Sequence, residues 1–226
     1  ISVTPNKLLG LEVIRFLSAI SVLLWHFQHF SFVEDKPQNF SRNLQPLYSY
    51  LEIFYQHGFY GVQIFWCISG FIFFWKYRDA ISCGRVSGVG FFVRRFSRLY
   101  PLHIVTLVLV ALLQGEFSLQ TQSYFVYPFN DVKHFIAQLF FASNWGIVRG
   151  YSFNGPIWSI SIEVVVYFLF FITLRVAGKS AWVNVGMLPL CGFACLLKAP
   201  LTIVGCIAFF YAGGLSAILL QKTTGT

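Results

Sequence analysis

Six apolar runs follow one another along the chain, at about residues 11–30, 58–75, 99–114, 158–174, 183–197 and 201–220. A helix rises about 1.5 Å per residue, so runs of this length approach the roughly 30 Å hydrocarbon core of a bilayer. The expected fold is therefore all-α, a polytopic transmembrane helical bundle. Composition agrees. Hydrophobic residues make up 57% of the 226 and charged residues only 11%, where a soluble domain carries about 25% charged residues. A further apolar segment, residues 134–145, holds its character for only about ten residues. That is too short to span and reads as an interfacial or re-entrant helix. The chain opens on Ile1 with no cleavable signal pattern, and reads as an excerpt of a longer protein.

The charge balance, 16 Lys and Arg against 8 Asp and Glu, would point to nucleic acid in a soluble chain. Here Lys76, Arg78, Arg85, Arg94, Arg95 and Arg98 stand together in the interhelical loop 76–98, with Asp79 as its one acid. Basic loops stay cytoplasmic, so this loop and the N-terminus two spans earlier are expected inside, and the acidic loop 31–57 outside. Membrane lipids rather than nucleic acid are the expected surroundings. With residues 134–145 left out of the span count, Arg175, Lys179 and Lys222 also fall inside. Counting that segment as a span would push the first two outside. The five cysteines mostly sit in apolar runs and read as small core residues, not as a disulfide or metal site; no metal is expected.

Ionisable groups inside the runs mark the candidate site, because each costs several kcal/mol in lipid unless it is paired or solvated. Arg15 and His26 lie eleven residues, about three helical turns, apart in LEVIRFLSAISVLLWHF and so share a helix face. His26 is the candidate general base, since imidazole titrates near neutrality. His29, one turn later, reads as an interfacial residue. Glu163 in WSISIEVVVYFLFF is the second anomaly. It sits at a depth similar to His26 and fits either a partner that orients the imidazole or a carboxylate capping its own helix after Ser159 or Ser161. Arg94, Arg95 and Arg98 form a cluster suited to phosphates, and to lipid headgroups equally. Gly58, Gly61 and Gly70 allow close helix packing or close substrate approach.

Four motifs then occur in a specific order: residues 11–27 with Arg15 and His26, GVQIF at 61–65 followed by SGF at 69–71, RRFSRLYP at 94–101, and WSISIE at 158–163. In this the chain resembles the acyltransferase-3 family of membrane acyltransferases, which includes O-antigen and exopolysaccharide O-acetyltransferases. The resemblance implies an enzyme that moves an acetyl or other acyl group from acetyl-coenzyme A, or another acyl-coenzyme A, to a hydroxyl of a carbohydrate or lipid-linked glycan. It implies His26 and Glu163 as catalytic residues and Arg15, Arg94, Arg95 and Arg98 as donor-binding residues. It also implies that residues 1–226 are one integral-membrane domain, truncated on its C-terminal side, supplying about six of some ten helices, in the plasma (inner) membrane. Val164 stands where many members carry a second Glu, which leaves Glu163 as the one expected intramembrane carboxylate.

The same intramembrane charges also fit a transporter or channel, although no inverted repeat is visible. A different membrane-bound O-acyltransferase fold would need an intramembrane Asn and His pairing that the chain does not show. Topology gives the first test. In a cysteine-free background, a cysteine at Arg85 is expected to react with a membrane-impermeant maleimide only after cells are opened, and one at Asn39 to react in intact cells. Labelling of position 85 from outside would overturn the orientation.

Overall fold

The computed structural model describes residues 9–197 and 200–224. The described residues form eight α-helices: α1 (Leu9–Phe27), α2 (Tyr48–His57), α3 (Tyr60–Ser82), α4 (Gly88–Thr121), α5 (Val132–Leu139), α6 (Trp158–Ala177), α7 (Ala181–Leu196) and α8 (Leu201–Thr224). One two-stranded hairpin, β1 (Phe32–Val33) and β2 (Lys36–Pro37), follows α1.

The all-α expectation holds, and the count of six spans is corrected. Among the described residues, four helices are long and apolar enough to cross a membrane: α1 with the 3-10 turn after it, α4, α6 with the turn before it, and α8. The pair α2 and α3, bent by 61° at a short break, makes up to one more. The run 183–197 forms α7, whose 16 residues rise about 24 Å and fall short of the hydrocarbon core. The short segment at 134–145 contains the eight-residue α5. Asp131 caps α5, accepting from the His134 backbone N–H and sharing a hydrogen bond with its Nδ1, both at 2.9 Å. Those bonds hold the Asp131 carboxyl below the usual carboxylate range.

The basic segment 76–98 is not a loop. Lys76 to Ser82 continue α3, and α4 already begins at Gly88, where the Ser87 hydroxyl caps it by accepting from the Gly90 N–H at 3.1 Å. The third run is thus the middle of a 34-residue helix, and Pro101, expected in a first turn, lies inside it. The basic groups still gather at one end of the bundle. Arg78 donates to the Lys179 carbonyl, Lys179 pairs with Asp79 at 3.6 Å, and Gln221 on α8 reaches the Trp75 carbonyl at 3.4 Å. Leaving α5 out of the span count is the choice that agrees with this gathering. The cysteines are free; Cys191 and Cys206 are buried as expected, whereas Cys83 and Cys195 are exposed.

The post of the bundle is α3, which packs against α1, α6 and α8. Glycines let the backbones touch. A Cβ on Gly70 would run into the Phe210 carbonyl, and one on Gly213 into the Cys67 carbonyl. On the other side of α3, Gly58 and Gly61 lie against the Ser21 and Ser18 carbonyls of α1. Around these contacts the core is aromatic: Phe73, Phe74, Phe91, Phe170, Phe210 and Tyr211 are fully or almost fully buried. Their rings meet mostly edge to face, as in Phe73–Phe91 and Phe74–Phe170, the arrangement favoured by the ring quadrupole.

The glycine contacts give a direct test. Gly213→Val forces α3 and α8 apart and is expected to cost about 1–3 kcal/mol or more. Gly186→Val on α7, with open space around its Cβ position, is expected to leave stability nearly unchanged. Apparent melting temperatures of the two variants in detergent decide it, and equal losses would contradict the packing assigned to α3 and α8.

Candidate functional site

One stripe of α1 faces the bundle interior and carries Arg15, Val22, His26 and, through the following 3-10 turn, His29. The shared face of Arg15 and His26 is therefore present, but the two residues open onto different cavities. Arg15 lines an inner chamber of about 720 Å³ at the basic end. His26 lines an outer chamber of about 280 Å³ at the opposite end. Val22 and Val62 belong to the walls of both.

The inner chamber is cationic. Lys76 from α3, Arg95 and Arg98 from α4, and Arg15 from α1 all reach it. Arg15 is tied to Glu12, one turn earlier, at 3.1 Å, so Glu163 is not the only carboxylate on these helices. Arg95 lies over the Phe73 ring at 4.0 Å and the Tyr77 ring at 4.9 Å. The aromatic faces hold the guanidinium by cation–π attraction while its edge stays open to the chamber. Arg94 is exposed and is not part of the chamber wall, so the three arginines expected as one cluster divide between two faces of α4.

Glu163 also faces the inner chamber. The helix α6 starts at Trp158 after Ile157, with no side-chain cap. Glu163 thus lies in the second turn and is not its own helix's cap. The Ser69 and Tyr167 hydroxyls face its carboxyl group and Arg95 stands within reach of its charge. Its Oε1 is buried with no hydrogen-bond partner. His26 and Glu163 are placed on adjoining cavities rather than in one.

The outer chamber holds two histidines. The rings of His26 and His29 are 5.4 Å apart, and each meets Trp25 edge to face, at 4.8 and 4.7 Å. The Nδ1 of His29 is buried without a hydrogen-bond partner. His29 therefore lines the chamber beside His26. Asp35, Tyr127 and Tyr151 complete the polar lining. Sequence reasoning missed these three, since they come from three separate connecting segments. The one available signal was the unusual Glu-Asp pair in a two-residue hairpin turn. Beside these residues Gln28 is buried; its Nε2 donates to the Trp25 and Tyr55 carbonyls and its Oε1 accepts from Arg42 Nε at 3.0 Å.

Chemically, the arrangement offers cations for a polyanionic group at one end, imidazoles for proton transfer at the other, and a thin apolar partition between. Among the described residues, no three or more His, Cys, Asp or Glu side chains stand together as a metal site.

Comparison with known proteins gives a consistent picture. Residues 8–225 match the family described as acyltransferase domain. A curated protein, acyltransferase MdmB of Streptomyces mycarofaciens, is 28% identical over 178 residues, which cover 76% of this chain and 41% of that protein. The chain thus spans about two fifths of this relative's length. No solved structure matches the chain.

Proposed function

The chain belongs to the acyltransferase domain family, and from that premise we propose that the whole protein moves an acyl group, such as acetyl, from an acyl-coenzyme A to a hydroxyl of a carbohydrate acceptor, within the plasma (inner) membrane. The observation that carries this reading is the pair of chambers joined at Val22 and Val62, one lined with cations and the other with imidazoles. A donor that is polyanionic at one end and reactive at the tip of a long arm suits such a pair. Its phosphates meet Arg15, Arg95 and Arg98, and the thioester is carried toward the partition. Arg94 adds positive charge at the same end of α4, where it also suits anionic lipid headgroups.

In the outer chamber His26 accepts the proton of the acceptor hydroxyl as its oxygen attacks the thioester carbonyl. The carbon–sulfur bond breaks, the new ester forms, and the imidazolium returns the proton to the leaving thiolate. Glu163 acts from the donor side: its carboxylate balances Arg95 and shapes the junction together with Ser69 and Tyr167. The orientation that fits is the basic end and the N-terminus on the cytoplasmic side, where acyl-coenzyme A is made, with the acceptor reaching the other end.

Steady-state kinetics on the full-length protein test the roles. His26→Ala is expected to lower kcat by about 10²–10⁴-fold, the usual loss for a general base, with little change in the KM for acetyl-coenzyme A. Arg98→Ala is expected to raise that KM with a smaller effect on kcat, since a positioning charge binds ground and transition states alike. His29→Ala is expected to keep more turnover than His26→Ala. The reverse order would exchange the two histidines, and full activity in both would overturn the general-base role.

A further inference from the structure

The outer chamber is held by backbone that its residues do not prefer. Glu34 (φ 50°), Asp35 (φ 61°) and Val126 (φ 62°) all occupy the left-handed region. For a β-branched residue such as Val126 that conformation is an outlier, and each such residue costs on the order of 1–3 kcal/mol. A two-residue turn between paired strands ordinarily uses Asn-Gly or Asp-Gly; here it is Glu34-Asp35, between β1 and β2. Three backbone hydrogen bonds lock the conformation, and the Tyr124 N–H also donates to Glu34 Oε1 at 3.4 Å. The Glu34 N–H donates to the Tyr124 carbonyl at 3.2 Å, the Asp35 N–H to the Val126 carbonyl at 2.7 Å, and the Val126 N–H to the Phe32 carbonyl at 3.0 Å.

The consequence of this clamp is spatial. It brings Asp35 to the chamber from the hairpin and Tyr127 from the residue after Val126, while Tyr151 arrives from a third segment. The Tyr127 ring is seated over Gly155 so closely that a Cβ there would overlap it. The charge of Asp35 reaches both phenols and, with burial, pushes their ionisation upward; partial burial raises Asp35 itself. Three oxygen groups therefore converge at the chamber mouth. Trp25, Phe59 and Trp158 supply apolar walls. Three of the eight non-glycine residues with positive φ among the described residues meet at this one contact, and side chains converge beside it from three segments, as they do at a binding site.

We propose that the outer chamber binds a single pyranose ring, with Asp35, Tyr127 and Tyr151 taking its hydroxyls and the tryptophans lying against its C–H face. The inference rests on the acyl-transfer reading above and names the part of the acceptor that is recognised. A carboxylate accepts from two neighbouring hydroxyls, and a phenol both donates and accepts. Size sets the limit: 280 Å³ lies just under the range of about 300–1,000 Å³ typical of pockets for drug-sized ligands. One sugar ring fits and a chain of them does not, so the acceptor is gripped by a terminal or branch unit. Asp35 is a positioning residue for that ring.

Equilibrium dialysis with radiolabelled methyl α-D-hexopyranosides of gluco, galacto and manno configuration tests the proposal on the full-length protein, in a detergent without a sugar headgroup and with no donor present. At least one glycoside is expected to bind saturably, one per chain. Asp35→Asn is expected to weaken it about tenfold or more, the loss of a hydrogen bond to a charged group, and Tyr151→Phe to weaken it less. Glu52→Gln, exposed on α2 and outside the chamber wall, is expected to bind as the parent does, and the affinity of Asp35→Asn for acetyl-coenzyme A to be unchanged. Binding of none of the three glycosides, or equal binding by the parent, Asp35→Asn and Tyr151→Phe, would overturn the site. Sugar binding without any acetyl transfer would leave the site standing and overturn the acyl-transfer reading instead.

Discussion

Everything in the arrangement depends on how closely α3 lets its neighbours approach. Where Gly70 meets the Phe210 carbonyl and Gly213 the Cys67 carbonyl, two helices lie backbone to backbone, with no side chain between. In lipid there is no hydrophobic drive to bring apolar helices together, so close packing of this kind supplies the association. The same device on the other face of α3 seats α1 against Gly58 and Gly61. That contact fixes the rotation of α1, and the rotation decides that Arg15, Val22 and His26 face inward while Phe16, Leu23 and Phe27 face out.

With α1 fixed, the electrostatics separate along that helix. The cations of α1, α3 and α4 meet at one end, close to the Arg78–Lys179 and Asp79–Lys179 contacts. Four cations around one chamber repel one another, and the local carboxylates, Glu12 and Glu163, offset only part of that repulsion. The remaining positive field is available to an anionic ligand, and Arg95 is kept straight for it by the rings of Phe73 and Tyr77. The outer chamber at the opposite end is lined differently. Its polar groups are imidazole, phenol and one carboxylate at the rim.

The sequence makes much of this legible, and the reasons for the rest are local. Period and run length reveal the helices, and eleven-residue spacing reveals the stripe with Arg15 and His26. The extent of α4 was hidden because Gly88, Val89 and Gly90 read as a loop, whereas the Ser87 cap makes them a first turn. The run that forms α7 counts as a span only if a crossing can be shorter than the roughly 20 residues a bilayer core needs, and its helix has 16. The division of Arg94 from Arg95 and Arg98 follows from helix rotation, which no charge count reports. Asp35, Tyr127 and Tyr151 were invisible for another reason. They meet through pairing between residues about 90 apart, as in Glu34 with Tyr124, and local patterns do not encode such pairing. The strained Glu34-Asp35 turn violates a local rule at the proposed sugar site, as natural proteins do at functional sites.

The partition at Val22 and Val62 is then the most consequential small feature of the proposed reaction. An acyl thioester hydrolyses if water reaches it beside a general base. Two β-branched side chains between the chambers, stiff about their first torsion, with Val62 buried and Val22 lying against Gly61, keep the junction apolar. Water excluded there cannot compete with the acceptor hydroxyl, and each electrostatic interaction across the junction is strengthened by the lower local dielectric. Separation of the histidines from the cations serves the same end. An imidazole placed among Arg15, Arg95 and Arg98 would face like charges on taking up a proton, and its basicity would fall. One partition away it faces His29 and Trp25 instead, and the cations on the other side are left to the donor's phosphates.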